Sequence, residues 1–169
     1  MIALVHLPHD KERFVRLMDF FKEVLDICKD LNISPVLDGS LAVFAYTANQ
    51  QMSVKDVDLT CSEIEFPRVM RVLDEKSIRH VSKEWHVLQI WQDDLKIELG
   101  SMEYWYRDVP NEYETLQIDE YQVRMLRLND LREFYKQGME DRAKKTGENE
   151  RSKYEALKAK YEALKKVKR

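Results

Sequence analysis

Apolar side chains recur at helical spacing near the start of the chain and alternate with polar ones farther on. A stripe from Phe14 to Leu31 predicts a helix over residues 10–30, with Asp10 as its N-cap. Short apolar runs bounded by turn residues predict strands. We expect further helices over residues 41–48 and 66–76 and from 129 onward, and strands over residues 35–37, 56–61, 78–81, 87–91, 95–99, 113–118 and 121–125.

This order of elements predicts an α/β or α+β fold, a mixed, twisted sheet flanked by helices with a C-terminal helical extension. After a break at residues 146–149, the motif Lys-Tyr-Glu-Ala-Leu-Lys occurs twice, seven residues apart. The repeat predicts a narrow apolar seam of coiled-coil type, made of Tyr154, Leu157, Tyr161 and Leu164. We expect one domain over residues 1–128 and a helical segment over 129–169. That segment packs on the domain or on a second subunit, which leaves a homodimer open.

The composition excludes several classes of function. The chain has 169 residues, a mass of 20.3 kDa and four glycines, none in a glycine-rich loop. A Walker P-loop and a Rossmann fingerprint are therefore excluded. Two cysteines cannot form a disulfide framework, which favours a reducing compartment. No apolar run predicts a signal peptide or a membrane span, so we expect a cytoplasmic protein without a membrane partner.

Charge is divided unevenly along the chain. Residues 151–169 carry eight Lys or Arg and two Glu, a net charge of +6, although the whole chain has a net charge of −3. A basic tail of this kind attracts phosphates. The other interpretation is a solvated helix that Glu–Lys pairs stabilise. The total charge excludes only a uniformly basic nucleic-acid binder.

Two carboxylates lie two residues apart on a predicted strand. Asp56 and Asp58 therefore point to the same face of the sheet, where each raises the pKa of the other unless a cation neutralises them. Mg²⁺ (or Mn²⁺) is the natural partner, because hard cations prefer carboxylate oxygens. Glu98, on a later strand, is a third candidate ligand. Three carboxylates can hold two metal ions about 3.5–4 Å apart for in-line phosphoryl chemistry, with Glu98 as the base.

A Gly-Ser pair precedes these acids. Gly39 allows a tight turn between the strand over residues 35–37 and the following helix. The first turn of that helix offers free N–H groups to phosphates, and the Ser40 hydroxyl adds a donor. We therefore expect Gly39 and Ser40 to bind the phosphates of a nucleotide.

Aromatic residues cluster around and after the strand that carries Glu98. They are Trp85, Trp91, Tyr104, Trp105 and Tyr106. Aromatic side chains at this spacing are more often part of a core. The alternative is that one of them stacks on a base or on an acceptor ring, and Trp105 has the best position for that role.

The ordered set resembles the nucleotidyltransferase superfamily of the polymerase-beta type. That family has a Gly-Ser or Gly-Gly turn, then an Asp-x-Asp strand, then a third acid on a later strand. The corresponding positions are Gly39-Ser40, Asp56-Val57-Asp58 and Glu98, and the resemblance covers residues 10–145. It is strongest with small stand-alone members, which include aminoglycoside and lincosamide nucleotidyltransferases and transferase toxins. The chain departs from the family in having Glu rather than the commoner Asp as its third acid.

The resemblance implies a metal-dependent nucleotidyltransferase. Such an enzyme moves a nucleotidyl group from a nucleoside triphosphate, ATP among them, to an acceptor hydroxyl and releases pyrophosphate. It also implies that a C-terminal helix brings basic residues to the triphosphate, and the candidates by position are Lys136, Arg142, Lys144 and Lys145. The acceptor is left open among a small molecule, an RNA and a protein. The alternatives are a toxin-like transferase that modifies RNA or protein and a non-catalytic nucleotide-binding or dimerising module.

Overall fold

The computed structural model describes residues 1–145 and 147–168; Thr146, in the predicted break at 146–149, lies outside the described residues. The described residues form eight strands and six α-helices. The strands are β1 (Ile2–Ala3), β2 (Val36–Asp38), β3 (Asp56–Cys61), β4 (Arg79–Lys83), β5 (Val87–Gln92), β6 (Leu95–Ser101), β7 (Glu114–Ile118) and β8 (Tyr121–Met125). The helices are α1 (Lys11–Asp30), α2 (Gly39–Thr47), α3 (Phe66–Glu75), α4 (Met102–Trp105), α5 (Leu128–Ala143) and α6 (Glu148–Lys165).

All eight strands join one mixed sheet in the order β1-β7-β8-β2-β3-β6-β5-β4. The pairs β1/β7, β2/β8 and β3/β6 are parallel, and the other pairs are antiparallel. An acidic turn joins β5 to β6, and its residue Asp93 is in the left-handed conformation, φ 52°. The predicted fold class, a mixed sheet flanked by helices, is confirmed.

The first helix covers the centre of the sheet. Asp10 caps it by accepting a hydrogen bond from the backbone N–H of Arg13 at 3.3 Å. The apolar stripe of α1 is buried, and the helix packs across β3 and β6. Phe14 on α1 meets Phe44 on α2 edge to face, with 5.9 Å between the ring centroids, so these two helices form a continuous core.

The parallel strands β3 and β6 carry the predicted site residues Asp56, Asp58 and Glu98. Side chains alternate between the faces of a strand, and one face of this pair is fully apolar and buried, with Val57, Leu59, Ile97 and Leu99. The other face carries half-buried charged side chains, those of Asp56, Asp58, Lys96 and Glu98.

The two C-terminal helices pack on each other, and α6 also contacts α2. Leu164 is fully buried, and Leu157 lies against Gly138 of α5. The guanidinium of Arg132 donates hydrogen bonds to the carbonyl of Leu164 at 2.9 and 3.1 Å and to that of Val167 at 2.8 Å. It thereby satisfies carbonyls that the end of α6 leaves without helical partners. The repeated motif therefore packs within this chain.

Two elements were not predicted, because each is too short to show a periodic pattern of apolar residues. β1 is a two-residue strand added to the sheet edge, and α4 is a single turn after β6. The second helix begins at Gly39, two residues before the predicted start. No helix in the described part of the chain combines the length and apolar character needed to cross a bilayer.

Candidate active site

The three predicted acids lie on adjacent strands. In the register of β3 and β6, Asp58 stands opposite Glu98 and Asp56 stands opposite Lys96. All four side chains are on the polar face of the sheet. Parallel pairing of two strands that are far apart in sequence thus brings Asp56, Asp58 and Glu98 into one cluster.

Lys96 lies among these acids, and the sequence analysis gave it no role. Its Nζ is 3.0 Å from Glu98 Oε1 and 3.6 Å from Asp56 Oδ2. Burial alone would lower the pKa of Lys96, but the hydrogen bond and charge of Glu98, with the charges of Asp56 and Asp58, raise it overall. Lys96 therefore stays protonated. Its place in the site could have been predicted, because Lys96 is two residues before Glu98 and side chains two residues apart on a strand point to the same face.

Asp58 is the acid whose charge is most costly. Burial, followed by the charges of Glu98 and Asp56, raises its pKa from the ordinary 3.8 to about 7, although Lys160 and Lys96 act in the opposite sense. Lys160 comes from α6, on the far side of the cluster. Burial lowers the pKa of Lys160, while the charges of Asp58 and Asp56 oppose that shift. The two lysines show that this acidic cluster attracts cations.

Gly39 is in contact with Asp58. It has φ +68°, a conformation that glycine adopts without cost. A Cβ atom at this position would lie 2.8 Å from the Cβ and Cγ of Asp58 and would overlap its carboxylate. Ser40 follows in the first turn of α2 and is half-buried. A small residue at position 39 is therefore needed for the carboxylate and the helix N-terminus to approach each other.

A further carboxylate lies behind this contact. Asp38, the last residue of β2, is buried and stands opposite Asp58 in the strand register. The Tyr106 hydroxyl donates to Asp38 Oδ2 at 2.6 Å, and the Thr60 hydroxyl donates to the Tyr106 oxygen at 2.8 Å. Burial and then the charge of Asp58 hold the pKa of Asp38 well above its ordinary value, although the bond from Tyr106 lowers it. Asp38 could have been predicted as a site residue from the sequence, because it directly precedes Gly39-Ser40.

A cavity of about 300 Å³ opens at Asp58 and Glu98, whereas Asp56, Lys96 and Ser40 are not among its lining residues. Its polar lining comes from Asp38, Asp58, Glu98, Thr60 and Lys160. Its apolar lining comes from Trp85, Val87, Trp105, Phe134, Tyr135 and Leu157. Trp91 and Tyr104 are not among the lining residues, and Tyr106 is buried in the core behind the site.

The other predicted nucleotide ligands lie elsewhere. Lys136 and Lys144 are exposed on or just after α5. Arg142 pairs with Glu150 at 2.7 Å, and both Arg142 and Lys145 line a separate cleft beside the connection between α5 and α6. The structure therefore brings Gly39 and the three acids together but holds these basic residues apart from the cavity. Their role as nucleotide ligands stays a prediction.

The acids suit a hard cation in kind and in charge. Carboxylate oxygens are the ligands that Mg²⁺ prefers, and two ammonium groups already compensate part of the cluster's charge. Within residues 1–145 and 147–168, no group of three or more His, Cys, Asp or Glu side chains is placed so that it could hold a metal ion.

Comparison with protein families gives one match. Residues 20–152, more than half of the chain, match the family model of aminoglycoside-2''-adenylyltransferase. The chain belongs to this family. The predicted membership of the nucleotidyltransferase superfamily is thereby confirmed, and family membership supports nucleotidyl transfer as the activity. No curated protein is significantly similar to the chain in sequence.

Solved structures of adenylyltransferases share the fold of this family member. The lincosamide antibiotic adenylyltransferase LnuA, bound to lincomycin, has a TM-score of 0.57 at 12% identity, covering 88% of this chain and 96% of its own. The antibiotic-resistance factor ANT(2'')-Ia has a TM-score of 0.58 at 13% identity, covering 90% of both chains. A candidate nucleotidyltransferase from Thermotoga maritima has a TM-score of 0.57 at 19% identity, covering 82% and 92%. At these identities the likeness establishes the fold alone.

Proposed function

We propose that this protein transfers a nucleotidyl group from a nucleoside triphosphate to the hydroxyl of a small-molecule acceptor. The observation that carries the proposal is the meeting of Asp58, Glu98, Gly39 and Lys160 around one cavity, in a chain of the adenylyltransferase family. The cavity volume of about 300 Å³ is at the lower end of the range for small-molecule sites. Two proteins share this fold. LnuA is a lincosamide antibiotic adenylyltransferase, and ANT(2'')-Ia is an antibiotic-resistance factor.

The chemistry is an in-line displacement at phosphorus. The acceptor oxygen forms a bond to the α-phosphorus, the bond from that phosphorus to the bridging oxygen breaks, and pyrophosphate leaves. Glu98 takes the proton of the acceptor hydroxyl. Lys96, 3.0 Å from Glu98 Oε1, holds that carboxylate in place.

The triphosphate lies between α2 and α6 in this proposal. The free N–H groups of the first turn of α2 and the Ser40 hydroxyl donate to phosphate oxygens. Lys160 adds an ammonium group from the opposite wall. Lys136, Arg142 and Lys145 remain predicted ligands of the same nucleotide.

A divalent cation beside the nucleotide is part of this proposal. Asp56, Asp58 and Glu98 would hold it, with Mg²⁺ or Mn²⁺ as candidates, and it would neutralise charge that develops on the phosphates. Its requirement for ionised ligands means that Asp58 must lose the proton that its raised pKa retains below about pH 7. Two free, buried thiols, Cys28 and Cys61, support the proposed cytoplasmic location.

Transfer of label from each of four α-³²P-labelled nucleoside triphosphates tests this function. We expect labelled acceptor and pyrophosphate in equal amounts, and a fall in rate of at least about 100-fold in Glu98→Gln, because a positioned base contributes roughly 10²–10⁴. Glu84→Gln, an exposed carboxylate outside the cavity, is the matched control. Equal rates in Glu98→Gln and the wild type would overturn the assignment of the base.

A further inference from the structure

Lys96 is held from several sides within the acid cluster. In the sheet register it stands between Asp56 on β3 and Trp91 on β5. Its Nζ lies 5.5 Å from the centroid of the Trp91 ring, a cation–π contact that adds to its ion pairs with Asp56 and Glu98. The side chain of Lys96 is 19% exposed. These contacts hold the ammonium group in one place on the polar face of the sheet.

Trp91, in turn, contacts a second cation. Arg79 on β4 stands opposite Trp91 in the register, and its guanidinium carbon lies 4.8 Å from the centroid of the same ring. Arg79, Trp91, Lys96 and Asp56 therefore form a row across β4, β5, β6 and β3. Because each side chain contacts the next one in the row, the stem of Lys96 is supported by its cross-strand neighbours. Trp91 does not line the cavity, but it helps to place the ammonium group.

The position of Lys96 limits where a metal ion can bind. Its Nζ lies 3.6 Å from Asp56 Oδ2 and 3.0 Å from Glu98 Oε1, so one oxygen of each carboxylate already faces a positive group. A divalent ion bound by these same two oxygens would be repelled by the ammonium group at short range. A divalent ion is then left with Asp58 and with the other oxygens of Asp56 and Glu98.

We propose that Lys96 supplies the positive charge that a second metal ion would otherwise supply, so that this site binds a single divalent cation with the nucleotide. The inference rests on the proposed function, because it concerns the cations of the nucleotide site. It replaces the expectation of two metal ions that three carboxylates raise. Lys96 is a positioning residue that acts through Asp56 and Glu98. Glu98 accepts the proton of the acceptor hydroxyl, whose oxygen bonds to the α-phosphorus as pyrophosphate leaves.

Counting bound Mn²⁺ in solution tests this proposal. The full chain is dialysed to equilibrium against Mn²⁺ and the α,β-methylene analogue of each of the four nucleoside triphosphates, in which the bond that transfer breaks is not cleaved. The excess of Mn²⁺ and of analogue on the protein side gives the number of ions for each bound nucleotide. Electron paramagnetic resonance then distinguishes a pair of ions in the site from ions bound elsewhere, because two Mn²⁺ ions about 3.5–4 Å apart are spin-coupled.

Variants of Lys96 test whether its charge excludes the second ion. In the wild type we expect one Mn²⁺ for each bound analogue and no spin coupling. Lys96→Met removes the charge and keeps the apolar stem, so it should bind about twice as much Mn²⁺, as a coupled pair. Lys96→Arg keeps the charge and should behave like the wild type. Lys55→Met is the matched control, because Lys55 is an exposed lysine directly before β3.

Three results would overturn the proposal. They are a coupled Mn²⁺ pair in the wild type, binding of the analogue without Mn²⁺, and a single uncoupled ion in Lys96→Met with the analogue still bound. The wild-type count needs no substitution, so it decides the matter even where a variant does not fold. Absence of bound analogue in the wild type would instead overturn the nucleotide function on which the inference rests, whereas a coupled pair leaves that function standing.

Discussion

At the scale of single residues, Asp58 is where function and stability conflict. Its carboxylate is half-buried beside Glu98 and Asp56, with a pKa of about 7. The folded protein therefore holds a proton between about pH 4 and 7 that the unfolded chain releases. Because the native state binds more protons there, the free energy of unfolding falls as pH rises through that window.

Asp58→Asn should remove this cost. We expect the variant to be more stable than the wild type above pH 7 by roughly 1–3 kcal/mol, a range that discounts the shift for solvent screening. Its stability should also fall less between pH 4 and 7, while nucleotide binding is lost. Urea unfolding at several pH values measures the first effect. A variant less stable than the wild type at pH 8 would contradict the described environment of Asp58.

Gly39 is the second residue on which the site depends. Gly39→Ala combines a left-handed backbone, which costs an L-residue roughly 1–2 kcal/mol, with overlap of the Asp58 carboxylate. We expect the variant to lose the stabilisation that nucleotide gives to the wild type. Gly147→Ala is the matched control, because it also has a positive φ, +115°, but nothing lies within 4 Å of its added methyl group. Retention of the nucleotide effect in Gly39→Ala would show that the contact with Asp58 is not needed.

At the scale of elements, α6 supplies the basic group of the cavity. Lys153 and Lys160 begin the two copies of the repeated motif. Lys153 is exposed and pairs with Glu150 at 3.6 Å, whereas Lys160 lies in the cavity wall near Asp58. The repeat therefore offers a control in which the same five residues follow the lysine.

Lys160→Met should weaken nucleotide binding by about tenfold to a hundredfold, the range expected for a charge-assisted hydrogen bond of about 1.5–3 kcal/mol. Stability should be retained, because burial of the ammonium group is unfavourable and Met keeps the apolar stem. Lys153→Met should leave binding unchanged. Titration with nucleotide and Mg²⁺ measures the nucleotide affinity of each of the two variants. A larger loss of nucleotide affinity in Lys145→Met than in Lys160→Met would contradict this role of Lys160. It would favour the basic residues that the sequence analysis predicted as nucleotide ligands.

Local patterns were enough to predict most elements of the fold. The apolar stripe of α1, the alternation along β3 and the acidic turn at Asp93 each follow from neighbouring residues. Which lysine lies in the cavity does not follow from them, because the same five residues follow Lys153 and Lys160, and the packing of α6 decides which of the two reaches the site. Lys96 and Asp38 were missed for another reason. Their contacts depend on strand register, which joins residues far apart in the chain.

At the scale of the whole molecule, the basic C-terminal segment meets the acidic body. The segment over residues 151–169 has a net charge of +6, and its helix α6 packs on α5 and α2 while Lys160 faces the acids of β3. Of the apolar seam, Leu164 is fully buried, and Leu157 and Tyr161 are half-buried against the core. A homodimer, and the division into residues 1–128 and 129–169, stay predictions.

The central claim, a nucleotide site built on the acid cluster, is tested most directly by thermal stabilisation. The wild type and Asp56→Asn are each heated with the four nucleoside triphosphates, with and without Mg²⁺. At about a hundred times its dissociation constant, a ligand adds about 2.7 kcal/mol to the stability of the wild type. We predict stabilisation that requires Mg²⁺ and is lost in Asp56→Asn. No stabilisation at millimolar nucleotide, or equal stabilisation of both proteins, would contradict the account.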